Sequence, residues 1–324
     1  MAKANLEQQV PAELPAAPAS MSSPHSSPLK KPPFFVLGSQ RSGTTMLRLM
    51  LNNHRNLCIP HETGFITDFY AKVGSYGDIR DADVQKALLQ DISGSHHVSR
   101  GKLISQLDEV LGFPIVDYRS LVDAIFQAHI AQFDKPRWGD KTPSYTEDID
   151  ILRQIFPDAK FIHLVRDGRD VLVSQKNIEW FSRNVVRLIR DWQWKVSIAH
   201  KVGRVLGDDF LEVRYEDLIR EPEDTLRTLC AFLDEDYDPD MMSYNEVGKD
   251  TVPAESIRWH KNSIALPNPN KIGAWKTKLS TSEKILFDDI AGDTLELFGY
   301  EREKKKHNIL SLASLIYYEA IRRY

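Results

Sequence analysis

The residues with the clearest chemical meaning lie in a short polar segment between two glycines. Gly38 and Gly43 enclose four residues, among them Arg41, and Thr44 and Thr45 follow. Backbone N–H groups in such a loop and at a helix N-terminus bind anions, because they are unpaired donors at a positive dipole end. The spacing matches the phosphate-binding loop of nucleotide enzymes, but Thr44 stands where that loop has its lysine. The loop's cation is Arg41, whose planar fork suits an oxyanion such as a sulfuryl group. The alternative is a glycine turn that binds nothing.

A second glycine turn carries more guanidinium groups. Arg166 and Arg169 follow directly after the apolar run 161–165, and Ser174 lies in the helix expected next. Arg166 and Ser174 could together bind a second phosphate. The alternative is a salt-bridged turn in which the two arginines pair with their neighbours Asp167 and Asp170.

Two further charged residues are candidates for proton transfer and charge neutralisation. Glu62 follows a short apolar segment, 57–59, that is predicted to be a strand. At the carboxyl end of a strand it is a candidate general base, and the alternative is a surface or helix-capping carboxylate. Lys141 is predicted to lie in a turn between Gly139 and Pro143. It takes part in the chemistry if that turn faces the first loop, and otherwise it is a solvated surface charge.

Buried strands and amphipathic helices must position these groups. The apolar runs Phe34–Leu37 and 161–165 are typical of strands covered on both faces, as in a parallel sheet. Helical periodicity covers 81–133 and Val185–Leu206, and the first of these regions is a natural substrate wall. The segment 234–271 is predicted to be a long, lid-like loop. Ser282 and Glu283 are predicted to begin the last core helix, 285–298, which Gly299 ends.

Composition sets the class of the protein. The chain has 324 residues, 42% hydrophobic and 27% charged, which is ample for one large α/β domain. A net charge of −4 gives no general attraction to nucleic acid. Two cysteines in unrelated contexts make no zinc site and are expected to be buried thiols in a reducing, cytoplasmic setting. Residues 1–33 are expected to be a disordered tail with neither a secretory signal nor a membrane span. An amphipathic helix is predicted at 309–324, within a C-terminal segment 301–324.

Taken in order, these motifs resemble the sulfotransferases that use 3′-phosphoadenosine 5′-phosphosulfate (PAPS). The segment from Arg41 to Thr45 is similar to their 5′-phosphosulfate loop, and the segment from Val165 through Ser174 is similar to their 3′-phosphate motif. The likeness is to the branch that contains tyrosylprotein sulfotransferases and bacterial relatives, and it spans about 34–300. Further matches in the same order are Glu62-Thr63, Lys141-Thr142-Pro143, Tyr215-Glu216 and Gly273-Ala274-Trp275-Lys276.

The resemblance implies a P-loop-type three-layer sandwich: a mainly parallel central sheet flanked by helices, with a helical insertion at about 78–134. It also implies PAPS as co-substrate, with no metal expected. Glu62 would be the catalytic base, assisted by Arg41 and Lys141. The cofactor would be bound by the two motifs, the Tyr-Glu motif and the C-terminal glycine segment, through Gly38, Gln40, Arg41, Ser42, Gly43, Thr44, Thr45, Arg166, Ser174, Tyr215, Gly273, Ala274 and Trp275.

Departures from the family pattern bear on the acceptor. The tyrosylprotein enzymes have an acidic residue before the base and an arginine two residues after it, where this chain has His61 and Gly64. We therefore expect a small-molecule, sugar or lipid acceptor rather than a protein tyrosine. O- and N-sulfation and a homodimer stay open, and Ser256 and Ser263 are both candidates for the assisting serine. The rival hypotheses are a magnesium-dependent kinase and a non-catalytic nucleotide-binding regulator.

Overall fold

The computed structural model describes residues 31–247 and 263–302, and within them five strands form a single sheet. The strands are β1 (Phe34–Leu37), β2 (Leu57–Cys58), β3 (Arg137–Asp140), β4 (Lys160–Val165) and β5 (Phe210–Arg214). They lie in the order β2-β3-β1-β4-β5, and every pairing is parallel. The carboxyl ends of all five strands therefore meet at one edge of the sheet.

Helices connect these strands and cover both faces of the sheet. In chain order they are α1 (Thr44–Asn52), α2 (Phe65–Tyr70), α3 (Ala82–Gly94), α4 (His96–Gly101), α5 (Leu107–Leu111), α6 (Tyr118–Ala131), α7 (Ile149–Ile155), α8 (Gly168–Lys176), α9 (Val185–Leu206), α10 (Tyr215–Arg220), α11 (Pro222–Phe232), α12 (Tyr244–Val247), α13 (Trp275–Lys278) and α14 (Thr281–Leu297). Helices α3 to α6 form the predicted helical insertion, between β2 and β3.

Side chains of the central strand alternate between two cores, which makes the fold a three-layer sandwich. Phe35 and Leu37 pack with α2 to α7 on one face of the sheet. Phe34 and Val36 pack with α1, α10 and α11 on the other face. Because β1 is buried on both faces, its sequence is apolar without interruption. A third core joins α8, α9, α13 and α14 beyond the end of β4.

The structure corrects three local predictions. The segment around Gly139 is not a turn: Arg137–Asp140 is strand β3, and Lys141 follows its carboxyl end directly. The segment predicted to be a loop from 234 contains a 3₁₀ turn, Pro239–Ser243, and then α12. The last helix begins at Thr281, because Ser280 caps it and forms a capping box with Glu283.

The N-terminal boundary also lies earlier than residue 34. Lys160 donates its backbone N–H to the Pro33 carbonyl at 3.1 Å, and Arg137 donates to the Pro32 carbonyl at 2.8 Å. Lys31 forms an ion pair with Glu235 at 2.7 Å. Residues 31–33 are thus attached to the folded domain rather than to the tail.

Other features concern the cysteines, membranes and metals. Cys58 and Cys230 are free and buried, as predicted. In the part of the chain that the structure describes, no helix combines the length and apolar character needed to cross a bilayer. The same residues contain no cluster of potential metal ligands. The predictions for tail residues 1–30, the helix at 309–324, Ser256 and the middle of the 234–271 segment lie outside the described residues.

Candidate active site

The loop after β1 has the backbone shape of an anion-binding loop. Arg41 and Gly43 have positive φ values of 75° and 96°, and Ser42 donates its N–H to the Ser39 carbonyl at 3.0 Å. Helix α1 then starts at Thr44, so the N–H groups of its first turn have no intrahelical acceptor. The hydroxyls of Ser39 and Ser42 are buried without a hydrogen-bond partner. Such donors fit a phosphate-like group, whose oxygens would satisfy them.

Gly38 shapes this loop rather than donating to a ligand. Its N–H is already donated to the Thr146 hydroxyl at 2.9 Å. With φ at 150°, a Cβ at this position would lie 2.6 Å from the Leu164 carbonyl oxygen on the neighbouring strand. Close packing of the loop against β4 therefore requires glycine here.

The two arginine motifs meet at the mouth of the loop. Arg41 donates from Nε to the Ser174 hydroxyl at 3.1 Å, and Arg166 donates from Nη1 to the Arg41 carbonyl at 3.1 Å. Burial, and next the nearby Arg166 charge, lower the pKa of Arg41. Arg166 also has its Nε buried without a partner. Two guanidinium groups held together in this way are suited to an anion with more than one phosphate-like end.

The salt-bridged turn, which was the alternative for the second arginine motif, is formed by Arg169 but not by Arg166. Arg169 pairs with Asp167 at 2.8 Å and lies over the Trp275 ring, 3.7 Å from its centroid. Asp170 accepts the backbone N–H groups of Gly273 at 2.8 Å and Trp275 at 2.9 Å. These contacts fix the segment from Gly273 through Ala274 to Trp275 beside the second arginine motif. Arg166 takes no part in them and instead lies next to the first loop, where it could contact a ligand.

Tyr215 and Glu216 follow the last strand and support both motifs. The Tyr215 ring lies so close to Gly43 that a Cβ on this glycine would be 2.4 Å from the ring. The Arg166 guanidinium also lies over the Tyr215 ring, 4.3 Å from its centroid. Glu216 accepts hydrogen bonds from the Asp167 N–H at 3.1 Å and from the Tyr300 hydroxyl at 2.7 Å. Burial raises the pKa of Glu216. Glu216 is therefore a structural support beneath the site.

Glu62 and Lys141 form an ion pair next to the loop. The Lys141 Nζ also lies 3.4 Å from the Thr45 hydroxyl, which belongs to the first turn of α1. Burial lowers the pKa of Lys141, and the charge of Glu62 opposes that shift. The segment carrying Lys141 therefore faces the first loop, and its ammonium group lies between the carboxylate and the loop.

A buried network that we did not predict from the sequence holds this pair in place. Asp140 accepts hydrogen bonds from the Thr63 hydroxyl and, at 3.0 Å, from the Thr142 hydroxyl. Thr142 in turn accepts the Thr63 N–H at 3.1 Å. Burial raises the pKa of Asp140 to about 7. This Asp140–Thr63–Thr142 clamp ties the ends of β2 and β3 together, and the sequence signal for it is that both threonines follow a candidate catalytic residue.

Basic groups surround the carboxylate. Arg48, buried in α1, donates to the Ile59 carbonyl at 3.1 Å, and burial lowers its pKa to about 10. Burial and the Lys141 charge lower the pKa of His61 to about 3. Helix α4 covers this segment: a Cβ on Gly64 would lie 3.2 Å from the His97 ring. Burial lowers the pKa of His97 as well, so both imidazoles are favoured in their neutral form.

Two further candidates differ in their surroundings. Gln40 belongs to the loop, but its side chain is exposed, and its backbone carbonyl accepts a hydrogen bond from the Gln175 side-chain amide at 3.5 Å. Ser263 is half-buried in a turn.

Comparison with known proteins agrees with this architecture. A model described as the sulfotransferase family matches residues 32–239. A protein-tyrosine sulfotransferase of Drosophila melanogaster is 25% identical over 289 residues, covering 83% of this chain and 52% of that protein. The protein-tyrosine sulfotransferase 1 of Danio rerio is 27% identical, covering 76% of this chain and 66% of that protein. The chain thus spans about half to two thirds of the length of these relatives.

Two solved structures share the fold. The sulfotransferase domain of the Synechococcus PCC 7002 olefin synthase has a TM-score of 0.58 at 23% identity, with 85% of this chain and 98% of that domain covered. The sulfotransferase domain of the curacin biosynthetic pathway has a TM-score of 0.54 at 20% identity, with 84% and 99% covered. The family model matches more than half of the chain, and the chain belongs to the sulfotransferase family.

Proposed function

We propose that this protein transfers the sulfuryl group of PAPS to an acceptor hydroxyl or amine, with Glu62 as general base. The observation that carries the proposal is that two charged pairs meet at the same loop: Arg166 contacts Arg41 within it, and Lys141 of the Glu62–Lys141 pair contacts Thr45 directly after it. One extended, doubly phosphorylated donor could contact both pairs. A non-catalytic nucleotide binder has no need for the second pair.

The donor's two ends would be held by different groups. The hydroxyl of Ser42 and the first N–H groups of α1, at Thr44 and Thr45, would bind the 5′-phosphosulfate. Arg166 and Ser174 would bind the 3′-phosphate, which ATP lacks. Tyr215 and the segment from Gly273 to Trp275 would line the nucleoside. Bound PAPS supplies a sulfuryl group already activated by its link to phosphate.

The transfer needs a base and compensation of developing charge. The Glu62 carboxylate would accept the proton of the acceptor as the acceptor bonds to sulfur and adenosine 3′,5′-bisphosphate leaves. Arg41 and Lys141 would neutralise the negative charge on the oxygens around the sulfur. A general base contributes about 10²–10⁴-fold, and a preorganised donor of this kind about 10²–10³-fold. Magnesium is not required in this scheme, because the sulfuryl group carries less charge than a terminal phosphate.

The proposed acceptor is a small molecule, a sugar or a lipid. Relatives named protein-tyrosine sulfotransferases argue for a peptide, but others are named a nodulation protein and a menaquinone sulfotransferase. Position 64 is a glycine, which caps the N-terminus of α2 with a φ of 65°. The His97 ring lies close to it. It has no side chain with which to hold an acidic peptide.

The test uses labelled PAPS, a cell extract as the source of acceptors, and the variants Glu62→Ala and Glu62→Gln. Wild-type protein should bind adenosine 3′,5′-bisphosphate in calorimetry and yield a labelled product. Both variants should keep that affinity and lose about 10²–10⁴-fold in transfer. Glu223→Ala, at an exposed carboxylate on α11, serves as control. Wild-type turnover in Glu62→Ala would exclude Glu62 as the base, and absence of bisphosphate binding by the wild type would overturn the donor.

A further inference from the structure

A cleft of about 410 Å³ opens beside the anion loop, between Gln40 and the segment that joins α8 to α9. Its volume lies within the range of about 300–1,000 Å³ that ligand pockets occupy. Gln40 immediately precedes Arg41, so the cleft borders the loop that would hold the sulfuryl donor. Apart from Gln40, the residues that line this cleft belong to α9 and the segment before it, and none of them was assigned to the donor above.

One wall of the cleft is aromatic. Trp180 lines it and is 57% exposed, and Phe181 lines it next to Trp180, with the two ring centroids 6.1 Å apart. A tryptophan that exposes so much of its surface at the edge of a cleft offers a flat apolar face to a ligand.

The other wall is polar and carries both donors and acceptors. Asp191 and Lys195 lie one turn apart on α9 and form an ion pair at 3.0 Å. Arg187 lies one turn before Asp191 and also lines the cleft. With the amide of Gln40, this wall can both donate and accept hydrogen bonds.

We propose that this cleft is the acceptor subsite and that it takes a sugar ring; the inference rests on the proposed sulfuryl transfer. A pyranose has a flat face of C–H groups, which suits Trp180, and a rim of hydroxyls that donate and accept, which suits Asp191 and Lys195. An alkyl chain would cover those charges without replacing their water, at a cost in free energy.

The test compares acceptors and variants with PAPS as donor. The acceptors are the disaccharides lactose, cellobiose and chitobiose, the alcohol 1-dodecanol and a tyrosine-containing acidic peptide, and products are measured by mass spectrometry. Wild-type protein should sulfate at least one disaccharide. Trp180→Ala should raise KM for that sugar at least tenfold with kcat little changed, and Trp180→Phe should recover part of the loss. Trp194→Ala, at a 38% exposed tryptophan on α9, is the matched control.

Two results would overturn the acceptor subsite while leaving the donor site intact. One is bisphosphate binding together with sulfation of dodecanol or the peptide and of no disaccharide. The other is an equal KM for the sugar in the Trp180→Ala and Trp194→Ala proteins. Failure of the wild type to bind adenosine 3′,5′-bisphosphate would instead overturn the proposed function, and this inference with it.

Discussion

Replacing Arg166 with alanine should weaken the binding of one phosphate selectively. The guanidinium group donates to the Arg41 carbonyl at 3.1 Å, stacks on Tyr215 and keeps a buried Nε without a partner. If it holds the 3′-phosphate, adenosine 3′,5′-bisphosphate should lose affinity in the variant. Adenosine 5′-monophosphate, which lacks that phosphate, should lose little.

The expected size follows from the contacts. A hydrogen bond to a charged group contributes about 1.5–3 kcal/mol, and about 1.4 kcal/mol is a tenfold change in affinity. One such bond predicts a loss of about 10–150-fold for the bisphosphate. The variant also frees the Arg41 carbonyl and uncovers Tyr215. These effects weaken both nucleotides alike, so they cancel when the two losses are compared.

Calorimetry with both nucleotides on wild type, Arg166→Ala and Arg166→Lys measures this difference directly. The lysine variant should recover part of the charge but not the planar geometry. Arg204→Ala, at an exposed arginine near the end of α9, controls for the loss of one positive charge. Equal losses for the monophosphate and the bisphosphate would show that Arg166 supports the loop and does not bind the 3′-phosphate.

Two further predictions concern the loop and the clamp. Gly43→Ala should cost about 1–2 kcal/mol of backbone strain and displace Tyr215, so the affinity for the bisphosphate should fall at least tenfold; unchanged calorimetry would show that this contact is dispensable. Burial raises the pKa of Asp140 from 3.8 to about 7, so the folded state keeps a proton that the unfolded state releases. The resulting stabilisation is present below about pH 4 and is lost as the pH rises through 7. The unfolding free energy of wild type, measured by denaturation and compared with that of Asp140→Asn, should therefore fall by up to about 4 kcal/mol over that range. A difference between the two proteins that stays constant from pH 4 to 8 would refute the pKa shift.

Much of the fold could be predicted because local pattern and burial agree. β1 and β4 are apolar runs in a sheet buried on both faces, and α9 has the bounds that its periodicity predicts. A parallel sheet brings the carboxyl ends of its strands together, so residues that follow different strands converge without any sequence motif that links them. Glu62 and Lys141 converge in this way.

Strand β3 could not be predicted because two of its four buried residues are charged. Arg137 and Asp140 are both buried, yet neither is apolar. Arg137 donates hydrogen bonds to the Pro32 and Leu233 carbonyls and to Glu235, which lie far away in sequence. The helical turns after Pro239 were missed for a related reason: they are stabilised by burial of Met241 and Tyr244 in the core around α1. Tertiary contacts, not local periodicity, determine both elements.

Buried cations and a neighbouring carboxylate determine the electrostatics of the site. Burial lowers the pKa values of Arg41, Arg48 and Lys141, so the fold keeps these cations in a setting that disfavours their charge. Glu62 compensates part of this unfavourable energy and the Asp140–Thr63–Thr142 clamp holds it in place. A donor with several negative charges would compensate much of the rest. Groups held in this way need little rearrangement when charge develops on the transferred group, which is the condition under which electrostatic stabilisation is most effective.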